Sequence, residues 1–249
     1  MTTNSPGGDV AEPAARFEEL KIPLREPVHG LTELSATLGI PEWWPTGNRV
    51  AIAIAHGSNM NYESPVVEYV HRELTERRFL TLRFNFPFAE AGKRASSDRP
   101  EVLEAAFRAA IAELGRDPTA APAHLFLGGL GLGGKVAASM ATAPLRLDGL
   151  FFLGYPLHPQ DKPDRVDAEH LYRIISPMVF IQGLRDRSCN AGALRTALQR
   201  VGAPTRLQLI EQADANFRVT KKSGIESEVI HNAVLDSLTN WLQSQIHPV

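Results

Sequence analysis

The chain has 249 residues, of which 43% are hydrophobic and 22% are charged, and this is enough apolar material for one large domain with a substantial core. A formal net charge of -2 gives no sign of the basic surface that binds nucleic acid or an anionic membrane. The single cysteine, Cys189, excludes an internal disulfide framework and favours a reducing, cytoplasmic location.

The N-terminal part of the chain carries little pattern. Residues 1–16 are polar, with glycines and prolines but no basic-then-apolar export signal, and are predicted to form a disordered leader. Residues 17–249 are predicted to form a single domain, without an apolar run long enough to span a membrane. Residues 17–38, interrupted by Pro23 and Pro27, are compatible with two short edge strands or with an irregular lead-in. A loop bracketed by prolines follows at 41–45.

Strands and helices then alternate along the chain. Continuous apolar, β-prone runs predict buried strands at 49–55, 80–86, 124–127, 150–154, 177–183 and 206–210. Apolar residues at helical spacing predict helices from 65 onwards, at 99–114, after 131, at 193–201 and at 225–245. This alternation indicates βαβ units and a mostly parallel sheet with helices on both faces. Ligands of such folds bind beyond the carboxyl ends of the strands, so the loops there hold the candidate site.

The most distinctive stretch is 124–139, where a short apolar run enters a cluster of glycines and an alanine-rich helical pattern follows. In serine hydrolases of the α/β type, the same strand, turn and helix carry the motif G-x-S-x-G, with the nucleophile at the apex. Here the motif reads Gly129-Leu130-Gly131-Leu132-Gly133. Glycine therefore occupies the apex.

Nucleotide binding explains this glycine cluster less well. Gly129, Gly131 and Gly134 have the spacing of the dinucleotide fingerprint, but that fingerprint belongs in the first βα unit, with an acidic residue ending the next strand. Here the cluster follows the third predicted strand, and the next strand ends at Gly154. Lys135 is followed by Val136, whereas a Walker loop needs a hydroxyl there. No cofactor is expected, and the eight scattered histidines lack metal-ligand spacing.

Several stretches together, in their order and spacing, make the chain resemble the small dienelactone-hydrolase-like α/β-hydrolases. Within that family it is similar to the bacterial relatives of the hydrolase-like domain of a chromatin-acetyltransferase complex subunit and of a testis-expressed protein. The resemblance covers about residues 48–245 and implies an α/β-hydrolase fold. It rests on residues 55–57, 83–87, 90–92, 99–100, 128–137, 153–159, 182–186 and 214–217.

The family pattern implies a serine nucleophile at the turn, an acid after a late strand and a histidine after the last strand. These roles fall on Gly131, Asp186 and Ala215, so the acid alone is present. Acyl transfer needs a hydroxyl to attack and an imidazole to accept its proton, and glycine and alanine supply neither. The sequence therefore predicts a catalytically degenerate member that binds a small ligand or a partner protein.

Two other functions remain open. One is an active hydrolase or lyase that uses water with Asp186 or His158 in place of a covalent serine, and the other is an interaction role based on surface helices. Ser58, Ser139 and Cys189 are candidate replacement nucleophiles, but pocket lining, helix packing and burial are the commoner roles for such residues.

The predicted ligand-binding residues follow from the same loops. For His56 the competing role is a structural one, bonding the loop backbone, and for His158 it is the packing of its own loop. The pattern predicts neither a metal site nor a nucleic-acid or membrane partner, and it does not indicate an oligomeric state. The full set is His56, Gly57, Ser58, Leu130, Leu132, Tyr155, His158 and Phe217.

Overall fold

The computed structural model describes residues 14–43, 49–116, 121–143 and 145–246. Most of the predicted leader, and part of the proline-bracketed loop at 41–45, lie outside these residues. The strands are β1 Arg16–Val28, β2 Leu31–Ile40, β3 Val50–Ala55, β4 Leu80–Phe84, β5 His124–Leu130, β6 Gly149–Leu153, β7 Met178–Gly183 and β8 Thr205–Ile210.

Within the described residues, six α-helices connect or follow these strands. They are α1 Pro65–Glu76, α2 Pro87–Glu90, α3 Pro100–Leu114, α4 Leu132–Met140, α5 Ala191–Leu198 and α6 Ser227–Ile246. The predicted helices are thus confirmed, although α5 ends three residues before the predicted position. The helix α2 was not predicted, because a single turn starting at a proline has no periodicity to detect. Strand β4 ends at Phe84, two residues earlier than predicted, because Phe86 is already the N-cap residue of α2.

All eight strands form one sheet in the order β1-β2-β4-β3-β5-β6-β7-β8. From β4 to β8 neighbouring strands are parallel. The long apolar runs of β3 to β7 follow from their central position, since strands covered by helices on both faces have no polar side. The fold is an α/β-hydrolase fold with a mostly parallel central sheet, as predicted.

The N-terminal residues correct one expectation. Of the two alternatives, the pair of strands is confirmed and the irregular lead-in is wrong, but the strands are long rather than short. Together β1 and β2 form an antiparallel hairpin that joins the sheet where β2 pairs with β4. His29 and Gly30, both at positive φ, form its two-residue turn. Pro23 is tolerated because β1 is the edge strand, where a missing N–H donor need not face a partner.

Helices cover the sheet on both faces and divide the core into two clusters. Side chains from α1 and α6 pack on one face, including Val67 and Leu235. Side chains from α3, α4 and α5 pack on the other face, including Leu103, Val136 and Leu194. Because β3 to β8 run parallel, their carboxyl ends meet at one edge of the sheet, between the two helical layers.

In the described parts of the chain, no helix is both long enough and apolar enough to cross a membrane.

Candidate active site

The turn between β5 and α4 lies directly against β3. A Cβ atom at Gly129 would lie 2.2 Å from the carbonyl oxygen of Ala55, and one at Gly133 would lie 2.5 Å from the same oxygen. These contacts are to backbone, which cannot swing aside. The two outer glycines of the motif are thus required by the close approach of two chain segments.

Gly131, at the apex, is glycine for a different reason. Its backbone has φ 52° and ψ -110°, a conformation that is strained for residues with a side chain. Space is available, however: apart from its chain neighbours, the nearest described atom to a Cβ built there is Gly57 Cα, at 3.9 Å. The turn therefore has the geometry of a nucleophile elbow, with an open position where the side chain would be.

The structure brings the other two expected triad positions to the same edge of the sheet. The Gly131 amide donates to the carbonyl of Leu153, at the end of β6. A Cβ on the next residue, Gly154, would lie 2.3 Å from the Ala215 carbonyl oxygen. Beside it, the Arg185 amide donates to the carbonyl of Ala213 at 2.8 Å, which joins the loop after β7 to the loop after β8.

The carboxylate of Asp186 is buried and fully engaged. Its Oδ1 accepts from the amide and hydroxyl of Ser188 at 2.7 and 2.6 Å, and its Oδ2 accepts from Gln182 Nε2 at 2.6 Å. The neighbouring Arg185 instead donates to the carbonyl of Gln212. The acid is therefore held by an amide, a hydroxyl and a backbone N–H, rather than by an arginine or an imidazole.

His56 is fully buried and bonded on both ring nitrogens. The amide of Phe86 donates to Nε2 at 3.0 Å, so Nδ1 carries the hydrogen and donates to the carbonyl of Gly57 at 2.8 Å. Burial lowers the pKa of His56 to about 4. The ring is thus a neutral tie between the loops after β3 and β4.

His158 and Tyr155 are also engaged inside the protein. His158 Nε2 accepts from the Asn190 amide at 3.0 Å, and Nδ1 lies 3.0 Å from the Pro159 carbonyl, so this side chain packs its own loop. The hydroxyl of Tyr155 is hydrogen-bonded to His170 Nε2, and burial raises the pKa of this hydroxyl.

Two pockets adjoin the elbow, one on each side of the sheet. The α3–α4 pocket, of about 490 Å³, is lined by Ser58 and Leu132 among the predicted residues. The α1–α6 pocket, of about 340 Å³, is lined by Leu130 and Phe217. The structure therefore distributes four of the predicted ligand-binding residues over two separate cavities, while His56, Tyr155 and His158 line neither of them, nor does the buried Gly57.

Several residues of the α3–α4 pocket were not selected from the sequence. Lys135 and Ser139 follow Leu132 and Val136 on one face of α4, and this spacing was a usable signal. His170 comes from a 3-10 turn in the long loop after β6, for which the sequence offers no periodicity. Ser188, which binds Asp186, was detectable as the residue two positions after an aspartate that can form an Asx turn.

The other candidate nucleophiles are engaged or buried. Ser139 donates to Glu104 Oε1 at 2.7 Å. Cys189 is buried, and burial raises the pKa of its thiol to about 12, so the reactive thiolate is disfavoured. Ser58 is exposed, and its hydroxyl has no hydrogen-bond partner among the described residues. Within those residues there is also no group of three or more metal-ligating side chains.

Comparison with known proteins agrees with this fold. The family model of the α/β-hydrolase domain matches residues 48–243, most of the chain. The chain belongs to the α/β-hydrolase family.

Solved structures of this family are similar in fold at low sequence identity. A dienelactone hydrolase from Anabaena variabilis is 20% identical, with a TM-score of 0.68 over 92% of this chain and 97% of its own. A putative α/β-hydrolase from Agrobacterium tumefaciens is 15% identical, with a TM-score of 0.70 over 93% and 100%. Est1E from Butyrivibrio proteoclasticus is 13% identical, with a TM-score of 0.67 over 90% and 99%.

The elbow geometry predicts different costs for alanine at two of its glycines. Gly129→Ala should lower the free energy of unfolding by about 3 kcal/mol or more, because its Cβ would strike the Ala55 backbone. Gly131→Ala has room and should cost only about 1 kcal/mol, through backbone strain. Urea unfolding measures both. Equal losses in the two variants would mean that β5 does not lie against β3 as described.

Buried neutral histidines predict acid sensitivity. Burial lowers the pKa of His56 to about 4 and that of His71 to about 3, from an ordinary 6.5. The unfolded chain therefore binds more protons than the folded one below pH 6.5. The contribution of these two histidines to the free energy of unfolding should be fully present above this pH. As the pH drops towards 5, the free energy of unfolding should fall by about 1.4 kcal/mol per pH unit for each histidine.

Unfolding measured between neutral pH and about pH 5 tests this slope, and histidine NMR shifts identify the groups responsible. The rings of His56 and His71 should remain neutral throughout this range. A flat stability profile, with either ring titrating near its ordinary pKa, would contradict the burial described here.

Proposed function

We propose that this α/β-hydrolase is non-catalytic and binds a small ligand or a partner protein at the carboxyl edge of its sheet. One observation carries the proposal: among the described residues, no serine hydroxyl or cysteine thiol is hydrogen-bonded to a histidine. Among those described residues, the only hydrogen bond between a hydroxyl and an imidazole joins Tyr155 to His170, and Tyr155 is fully buried. Covalent acyl transfer needs such a pair within reach of substrate.

The sequence at the elbow supports the same proposal. If Gly131 and Ala215 stand where the family has its nucleophile and its base, both working side chains are missing while the frame around them is kept. Triad members act as a unit, so Asp186 alone contributes little to catalysis. Its bonds to Gln182 and Ser188 satisfy the carboxylate without an imidazole.

A water-based hydrolase or lyase is the alternative. Such an enzyme needs a general base that can reach a bound water. His158 has its two ring nitrogens next to backbone partners, and the oxygens of Asp186 already accept three hydrogen bonds. This engagement supports the binding function over the water-based one. The buried single cysteine supports the further proposal of a reducing, cytoplasmic location.

Ester hydrolysis tests the proposal directly. The unmodified chain should hydrolyse p-nitrophenyl esters no faster than buffer, because it lacks a nucleophile and a base. Replacing both missing side chains, Gly131→Ser with Ala215→His, should give measurable turnover above that of either single variant, since the two act together. Steady-state release of p-nitrophenol measures these rates.

Two controls separate the possible outcomes. Circular dichroism and thermal unfolding show whether the double variant folds; a folded double variant without turnover would contradict the assignment of positions 131 and 215. Turnover by the unmodified chain that disappears in Asp186→Ala would overturn the non-catalytic proposal and favour the water-based alternative.

A further inference from the structure

The α3–α4 pocket has an apolar body and one polar corner. Leu103, Leu132 and Val136 supply apolar surface from the two helices, and the volume of about 490 Å³ is typical of small-molecule sites. Ser58 connects the pocket to the elbow, because it follows Gly57, whose Cα is the nearest atom to the open position at Gly131. The pocket is therefore where the family frame would present a ligand.

Three carboxylates line this pocket, but two of them are already paired. Asp98 is almost completely buried, binds His29 and accepts from the Phe88 amide at 2.8 Å. Asp167 accepts from Lys135 at 2.6 Å. Neither presents an uncompensated charge to a ligand.

Glu104 is in a different position. One oxygen, Oε1, accepts from the Ser139 hydroxyl at 2.7 Å, which is a neutral donor. The nearest cation, Arg108, lies 4.0 Å from Oε2 on the exposed surface of α3, at the limit of an ion pair. The side chain of Glu104 is only 27% exposed, so its charge is partly desolvated and weakly compensated beside the apolar wall.

The other titratable residues that line the pocket, His170 and Lys135, do not neutralise the charge of Glu104. Burial lowers the pKa of His170, which keeps the ring uncharged at neutral pH. Lys135 is matched by Asp167. With Asp98 and Asp167 already paired, Glu104 is the carboxylate of the lining that is left to attract cations and to repel carboxylate and phosphate ligands.

We propose that the α3–α4 pocket binds a small organic cation, with an ammonium group on Glu104 and an apolar body against Leu103, Leu132 and Val136. This inference rests on the proposed binding function and names the ligand class for it. Charge complementarity selects the cation, and the apolar wall requires more than a bare ion. A cation of this shape leaves the Glu104–Ser139 hydrogen bond in place and uses the second carboxylate oxygen.

A matched set of three probes tests the charge preference. Phenylbutylamine, phenylbutanol and phenylbutanoate share one apolar body and differ in their polar group. At neutral pH and moderate salt, isothermal titration calorimetry should show the amine binding about threefold to fivefold more tightly than the alcohol, the size of a partly exposed ion pair. The acid should bind most weakly.

Variants on the two helices locate the effect. Glu104→Gln keeps the shape and should abolish the preference for the amine over the alcohol. Glu101→Gln removes the same charge from an exposed position of α3 outside the pocket lining and should leave the preference unchanged. Lys135→Met removes the one cationic side chain that binds Asp167 among the lining residues, leaves Asp167 with only His170, and should increase the preference for the amine.

The outcomes distinguish this inference from the proposed function. If the alcohol or the acid binds as well as the amine, or if Glu104→Gln keeps the preference, the cation assignment is overturned while a binding function stands. Lack of binding by all three probes at millimolar concentration overturns the assignment as well. Ester turnover by the unmodified chain is a separate result, which overturns the non-catalytic function instead.

Discussion

The contact between the β5–α4 turn and β3 is the constraint on which the site depends. Gly129 and Gly133 lie so close to the backbone of Ala55 that any side chain there would overlap it. Between these two contacts Gly131 forms the positive-φ apex at the start of α4, beside the loop of Gly57 and Ser58. The two pockets open on either side of this contact. Packing alone is therefore enough to preserve an elbow, whether or not it carries a nucleophile.

The chemistry of the site follows from what surrounds that frame. Buried polar groups are costly unless they are hydrogen-bonded. At this edge of the sheet Asp186 and His56 have partners, whereas the side-chain carbonyl oxygen of Gln182 is buried without one among the described residues. Asp186 is held by Gln182 and Ser188, and His56 ties two loops together as a neutral ring. Within the described part of the chain, open features of this site are the unpaired Ser58 hydroxyl, the unpartnered Gln182 carbonyl oxygen and the weakly compensated Glu104.

Much of the fold was accessible from the sequence because parallel strands and amphipathic helices leave strong periodic patterns. The buried strand Val50–Ala55 and the helix Pro100–Leu114 were predicted closely. The N-terminal hairpin was harder, because Pro23 suggests a break and only the edge position of β1 makes it acceptable. Edge position is a property of the sheet rather than of the local sequence.

For the site, too, the sequence shows what local patterns encode and hides what depends on contacts between distant residues. The glycine motif and Asp186 are visible as a pattern, and the structure places both in loops or turns at the carboxyl ends of their strands, β5 and β7. The sequence could not show that Leu130 and Leu132 face opposite pockets, nor that Glu104 of α3 meets Ser139 of α4. Those contacts join residues far apart in the chain, and no local spacing encodes them.

The central claim is that the elbow is intact but has no nucleophile, and intact-protein mass spectrometry after treatment with a fluorophosphonate tests it most directly. This reagent phosphonylates serines that are activated by a neighbouring base, and here no described serine has a histidine partner. The account predicts an unchanged mass under conditions that label an active serine hydrolase completely. A stoichiometric adduct on Ser58 or on any other serine would contradict it.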